Sequence, residues 1–189
     1  KKLARSNVLV HEMNCVETLA RVNVLCVDKT GTITRPDMSV RDVGFLKDNV
    51  GKLIAGVAGN MDDDNETMKA IKNYYHITGR DNSAERVYSF SSQNKYSGAV
   101  LDGRCYIFGA PEYVLLDTYA EYEDIFERYS GHGERILVFG ECVGDPCGNI
   151  IEEAVNPYAF IILENEIRDT AKETFGYFAS QGVDIVGIS

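Results

Sequence analysis

VNVLCVDKTGTIT, residues 22–34, is the stretch whose reading decides the fold. Residues 22–27 are apolar and rich in β-branched side chains, the pattern of a buried strand. That strand delivers Asp28 to a sharp turn. Gly31 lets the backbone bend closely around a small group, while Lys29, Thr30 and Thr32 add one positive charge and hydroxyls. In open α/β sheets, ligands bind beyond the carboxyl ends of the strands, which is where Asp28 falls. An aspartate placed there suits phosphoryl chemistry, because its carboxylate can take a phosphoryl group as a covalent acyl-phosphate. The plainer alternative is a strand-to-helix turn with an N-capping threonine.

Working outward, the carboxyl-terminal stretch repeats the style of the first. Residues 158–163 read as an apolar strand, residues 169–180 as an amphipathic helix closed by Gln181-Gly182, and residues 183–188 as another strand. Strand, helix and strand in that order predict a parallel crossover unit. The middle of the chain differs. Arg35-Pro36 is expected to stop regular structure. Residues 38–45 follow as a strand or extended linker, and residues 53–58 as a short helix. Asp62-Asp63-Asp64-Asn65 reads as an acidic turn capping a helix over 67–75, without the glycine and distal glutamate of a calcium loop. Residues 86–90, 96–101 and 105–108 predict an antiparallel meander, with Asp102-Gly103 as a hairpin turn. A helix over 112–119 with Pro111 in its first turn, a helical pattern over 120–129 ending at Gly131-His132-Gly133, and a strand over 135–139 complete the block. The expected class is therefore α/β. A partial Rossmann-like domain (1–36 and 156–189) is interrupted by an α+β domain (37–155) whose antiparallel sheet is flanked by helices. Ahead of the first strand lie a basic start at 1–5, a short apolar run at 8–10 and a brief helix at 16–20.

A chain of 189 residues makes one large domain or two small ones, and 44% hydrophobic with 25% charged residues is an ordinary globular balance. No apolar run approaches the roughly 18–20 residues that span a bilayer, and no signal peptide opens the chain. Nineteen basic against 29 acidic residues give a net charge of −10, which argues against a nucleic-acid partner. The five cysteines form no CxxC pair and accompany no histidine cluster, so reduced thiols are expected.

The string DKTGTIT resembles the phosphorylation motif of the P-type cation-transporting ATPases, membrane pumps whose catalytic domain belongs to the haloacid dehalogenase-like superfamily. The longer stretch NVLVHEMNCVETLARVNVLCVDKTGTIT is similar to the bacterial cation pumps in particular. The resemblance implies that Asp28 attacks the γ-phosphate of ATP and that Lys29 helps hold phosphate charge. It also implies that Thr30 offers its backbone carbonyl to Mg²⁺, with Asp28 as a further metal ligand. Phosphatases of the superfamily carry a second acid two residues after the nucleophile, where this chain has Thr30. In the middle block, Phe90 in FSSQNKYSG matches the phenylalanine that stacks on adenine, and Lys95 matches a pocket lysine. FGAPEYVL resembles a lysine-glycine-alanine-proline-glutamate motif through Gly109 and Ala110, with Phe108 in place of the lysine. NETMKAI is similar to a segment that often carries an adenine-reading glutamate, a position that falls on Met68. Arg135 in GHGERILVFG matches an arginine near the ATP phosphates, and Arg168 in NEIRDTAKET matches an arginine where the chain re-enters the phosphorylation domain, which the resemblance also counts among the nucleotide-binding residues. Read without the resemblance, Phe90 is a core aromatic, and Arg135 and Arg168 are partners in surface ion pairs.

The resemblance implies an ATP-binding catalytic fragment of a P-type cation-transporting ATPase, with ATP and Mg²⁺ as cofactors. Its partners would be the transmembrane and actuator domains of the same pump, the transported cation being bound elsewhere. The fragment would lie on the cytosolic face of the membrane and lack the pump's later aspartate-rich loop. It is expected to bind nucleotide with little self-phosphorylation. Two rivals are a soluble haloacid dehalogenase-like phosphatase with a large cap and a non-enzymatic nucleotide-binding module.

Overall fold

The structure, a computed structural model, describes residues 17–18, 21–62, 65–130 and 134–188, with only the backbone of Thr30 and Ser130. The expectations for residues 1–16, for Asp63 and Asp64, and for Gly131-His132-Gly133 lie outside the described residues. In chain order the elements are β1 (Val24–Asp28), a wide turn (Lys29–Ile33), β2 (Thr34–Phe45), α1 (Val50–Asn60) and α2 (Glu66–Tyr74). Then come β3 (Arg86–Tyr88), β4 (Tyr96–Leu101), β5 (Arg104–Gly109), α3 (Pro111–Val114), a 3₁₀ segment (Leu116–Tyr122) and α4 (Glu123–Ser130). The last elements are β6 (Arg135–Glu141), β7 (Asn156–Ile167), α5 (Ala171–Ser180) and β8 (Asp184–Ile188). They divide into two compact units, Lys1–Pro36 with Ile167–Ser189, and Asp37–Glu166.

In the first unit β1 and β8 pair in parallel, with Val24 opposite Asp184 and Asp28 opposite Ile188. Among the described residues their side chains are half-buried or exposed, Val24 at 46% and Ile188 at 56%. Among the described residues the two-stranded sheet has α5 beside it and no third strand.

The second unit is built on a six-stranded antiparallel sheet in the order β2-β7-β6-β5-β4-β3. Local chemistry sets its elements. Asn65 Oδ1 accepts the Met68 N–H at 2.9 Å and starts α2. Asp102 and Gly103, at φ 49° and 71°, turn β4 into β5. The sheet is covered on both faces. One cluster packs Ile54, Val57, Met68 and Ile71 against Phe108, Phe139, Ile161 and Leu163. The other gathers Ile107, Val114, Leu115, Phe126, Val138, Phe160 and Ile162. Successive residues of β7 thus feed opposite cores, as the two-residue strand period requires.

Three expectations need correction. Pro36 does not stop regular structure, since β2 runs through it from Thr34 to Phe45 and is an edge strand of the sheet, where proline is tolerated. β7 does not open a parallel crossover unit. It pairs antiparallel with β6, Val138 opposite Phe160, and the second unit therefore extends to Glu166, beyond the expected boundary at 155. Its continuous apolar run reflects burial on both faces, which parallel and covered antiparallel strands share. Finally, the helix expected over 112–119 breaks after α3, where Leu116 takes φ 49° and the chain tightens into the 3₁₀ segment.

Candidate functional site

A cavity of about 700 Å³ opens in the second unit and brings together side chains from separate stretches of sequence. Phe90, Lys95, Ala110 and Arg135, all expected at a nucleotide pocket, line it. Phe90 follows β3 and is 48% exposed, a large aromatic face presented to solvent instead of to the core. Lys95 takes φ 59° at the end of a turn that its N–H closes on the Ser91 carbonyl at 2.8 Å. Its own carbonyl accepts the Ala110 N–H at 3.1 Å, which ties the 91–95 turn to the start of α3. The Lys95 ammonium lies 5.9 Å from the Tyr113 ring centroid, within cation–π range. Gly109 does not line the cavity. A Cβ there would lie 2.3 Å from Val114 Cγ1 and 3.3 Å from Tyr96 Cβ, so the glycine permits close packing of β5 on α3.

The departures at Phe108 and Met68 form an apolar floor. Both are buried, and Phe108 packs on Phe139 with ring centroids 4.8 Å apart. Burial, and then the negative charges of Glu112 and Glu123, push the phenol of Tyr119, another lining residue, up. Sequence reasoning missed Glu134. Its side chain is 3% exposed, its Oε1 accepts from the Arg41 guanidinium, and its Oε2 has no partner among the described residues. A carboxylate just ahead of a strand ordinarily faces water, so no pattern marks it.

In the first unit Asp28 ends β1 with extended backbone, φ −69° and ψ 140°, and an exposed side chain. The turn after it closes when the Thr34 N–H returns to the Lys29 carbonyl. Buried Thr34 adds its hydroxyl, which accepts the Gly31 N–H at 3.2 Å and donates to the Lys29 carbonyl at 3.3 Å. Gly31 takes φ 77°, a left-handed conformation that glycine adopts without the steric cost of a Cβ. Arg168, expected among the nucleotide ligands, lies here and not at the cavity. Its guanidinium donates to the carbonyls of Gly31 at 3.0 Å and Thr32 at 3.1 Å, and its N–H donates to Ile33 at 3.0 Å. Arginine's fork of donors matches two successive carbonyls, which fixes the turn.

The donor set suits a hard cation only in part. Mg²⁺ takes about six oxygens. Asp28 and the Thr30 carbonyl could supply two, and among the described residues no three His, Cys, Asp or Glu side chains gather as a metal site.

An antiparallel sheet with a cavity at one end, set in the chain between two halves of a parallel motif that ends in Asp28, is the pattern of the catalytic segment of P-type ATPases. Its sequence relatives agree, and the chain is a nucleotide-binding-domain fragment of that kind. The chain is 36% identical over its full length to the calcium-transporting ATPase CtpE of Mycolicibacterium smegmatis, of which it covers 24%. It is 34% identical, again over its full length, to the probable cation-transporting ATPase exp7 of Streptococcus pneumoniae, covering 25% of it. The chain thus spans about a quarter of the length of these curated relatives. No protein-family model matches it. Among solved structures, a zinc-transporting PIB-type ATPase aligns with a TM-score of 0.62 at 17% identity, over 91% of this chain and 26% of that one. The catalytic domain of the CPx-ATPase CopB-B aligns with a TM-score of 0.61 at 11% identity, over 95% of this chain and 58% of that one. At such identities these two establish the fold alone. No helix among the described residues is long and apolar enough to cross a membrane.

Proposed function

We propose that this chain is the ATP-binding and phosphoryl-accepting part of a cation pump. The observation that carries the reading is the cavity, where Phe90, Lys95, Ala110 and Arg135 meet although 45 residues of sequence separate the first from the last (135 − 90). An exposed aromatic face binds a base by stacking, and an apolar floor of Met68 and Phe108 keeps water from competing. Lys95 and Arg135 supply the positive charge that phosphates require, Arg135 with a fork that can take two phosphate oxygens.

Asp28 is the proposed acceptor. A carboxylate oxygen attacks the γ-phosphorus of ATP, a new P–O bond forms, the bond to the β–γ bridging oxygen breaks, and ADP leaves. Water then hydrolyses the acyl-phosphate. Thr34 and Arg168 hold the turn that presents Asp28, and Lys29 offsets phosphate charge. Mg²⁺, held in part by Asp28 and the Thr30 carbonyl, would neutralise charge on the transferring group. Coupling to cation movement, through transmembrane and actuator domains, belongs to the whole pump.

Calorimetric titration of ATP tests the cavity. Phe90→Ala is expected to weaken binding by about 1–3 kcal/mol, the range for loss of one base–aromatic stack. Equal binding by both proteins would make Phe90 an ordinary surface aromatic and overturn the placement of the base.

A further inference from the structure

Among the described residues, two buried side-chain oxygens lack a hydrogen-bond partner, the Tyr75 hydroxyl and Glu134 Oε2. Of these, only Glu134 lines the cavity. Its carboxylate is 97% buried by side-chain area (100% − 3%), and Arg41 engages Oε1 alone. A buried charged oxygen without a donor carries a desolvation cost, and a donor arriving with a ligand would relieve it. We propose that Glu134 Oε2 accepts a hydrogen bond from the nucleoside, either the adenine amino group or a ribose hydroxyl, and so sets which nucleotides the cavity takes. This inference rests on the ATP reading above.

The chemistry of the cavity narrows the donor. Phosphate cannot lie against Glu134, because two anions would meet in a poorly solvated wall. A metal ion is disfavoured, since no third ligand gathers near it among the described residues. What remains is a neutral group bearing N–H or O–H, and a nucleoside carries such groups at its base edge and its sugar. The side chains of Met68, Phe108 and Ile136 in the same lining bring no oxygen or nitrogen acceptor, and Glu112 is the lining's other carboxylate. A site built to satisfy a substrate donor strongly rejects an analogue that lacks it, because the site's acceptor is then stranded. The base would meet the carboxylate and the phosphates would run toward Lys95 and Arg135, so neighbouring residues 134 and 135 would read opposite ends of one ligand.

The test titrates the unmodified chain with ATP, purine riboside triphosphate, 2′-deoxyATP and 3′-deoxyATP. One analogue is expected to bind about tenfold more weakly than ATP, and its identity tells base from ribose. Glu134→Leu and the isosteric Glu134→Gln are each measured in parallel, so that a folding defect in one leaves the other. Both are expected to lower ATP affinity toward that of the weak analogue and to erase the discrimination. If the unmodified chain binds all analogues within about twofold of ATP, or the variants keep the discrimination, the assignment to Glu134 is overturned. Should ATP bind and Phe90→Ala weaken it while the analogues stay equal, the Glu134 role alone falls. Should ATP not bind at all, the nucleotide reading falls first, and this inference with it.

Discussion

The two units hold their candidate residues by different means. In Asp37–Glu166 the cavity rests on a six-stranded sheet buried on both faces, and its floor residues Met68 and Phe108 belong to the larger core. In the other unit most residues of β1 and β8 are exposed, and the turn after Asp28 is held by hydrogen bonds from Thr34 and Arg168. One site is shaped by packing, the other by polar bonds to backbone. Packing tolerates loss of a surface group but not a change of volume. A bonded turn is indifferent to volume and sensitive to one donor.

The strongest way to break the contrast is to overfill the sheet. Gly98 on β4 faces Ile107, and an added Cβ would sit 2.2 Å from the Tyr106 carbonyl oxygen and 2.9 Å from Ile107 Cα. Those are backbone atoms and cannot swing away. Gly98→Ala is expected to destabilise this unit by about 3 kcal/mol or more, read as a lowered denaturant midpoint. Phe90→Ala, at an exposed position, should change the same midpoint by no more than about 0.5 kcal/mol while weakening ATP binding. An unchanged midpoint for Gly98→Ala would show that the sheet is looser than its packing implies.

The turn calls for the opposite experiment. Thr34→Val keeps shape but removes the hydroxyl that bridges Gly31 and Lys29. A loss of about 1–2 kcal/mol is expected, seen as faster amide exchange at Gly31 with exchange in β4 and β5 unchanged. Uniform acceleration through both units would instead mean that they unfold as one.

A smaller, pH-dependent effect separates polar bonds from packing inside the second unit itself. Asp145 accepts from the Tyr88 hydroxyl, from Arg86 at 2.6 Å and from the Cys147 N–H at 2.8 Å. Burial pushes its carboxyl up, but these bonds and the Arg86 charge outweigh it and leave it below the ordinary 3.8. A carboxyl lowered in the folded state adds stability that is full above its unfolded value and disappears as pH falls through the folded one. Asp145→Asn should therefore cost about 1 kcal/mol at neutral pH and nothing below the folded value, measured as melting temperature against pH. A constant difference across that range would assign the loss to shape and not to charge.

What was legible in the sequence follows the same division. The hairpin at Asp102-Gly103, the Asn65 cap and the strand ending in Asp28 are local signals, and each appears where its residues demand. The cavity residues Phe90, Lys95, Ala110 and Arg135 were legible through short motifs in order, and the fold brings them to one cavity. Partners set by topology were not legible. Nothing local tells that β7 is covered on both faces of an antiparallel sheet, that Pro36 lies on its edge, or that Arg41 on β2 meets Glu134 ahead of β6. These contacts join residues about a hundred positions apart, beyond the reach of periodicity.

Arg168 gives the finest test of the contrast, because its motif placed it with the nucleotide and its geometry places it on the turn. Its three bonds to Gly31, Thr32 and Ile33 all stay within the first unit, and it does not line the cavity. Arg168→Lys retains the charge but loses the fork that serves two carbonyls together. ATP affinity of the chain should therefore stay within about twofold of the unmodified protein. Amide exchange at residues 31–33 should quicken, since the carbonyls that anchor the turn lose their shared donor. A substantial loss of ATP affinity with unchanged exchange would return Arg168 to the nucleotide. The expected pair of results would instead assign it to the geometry of Asp28, where a residue bonded to the turn governs how the acceptor is presented.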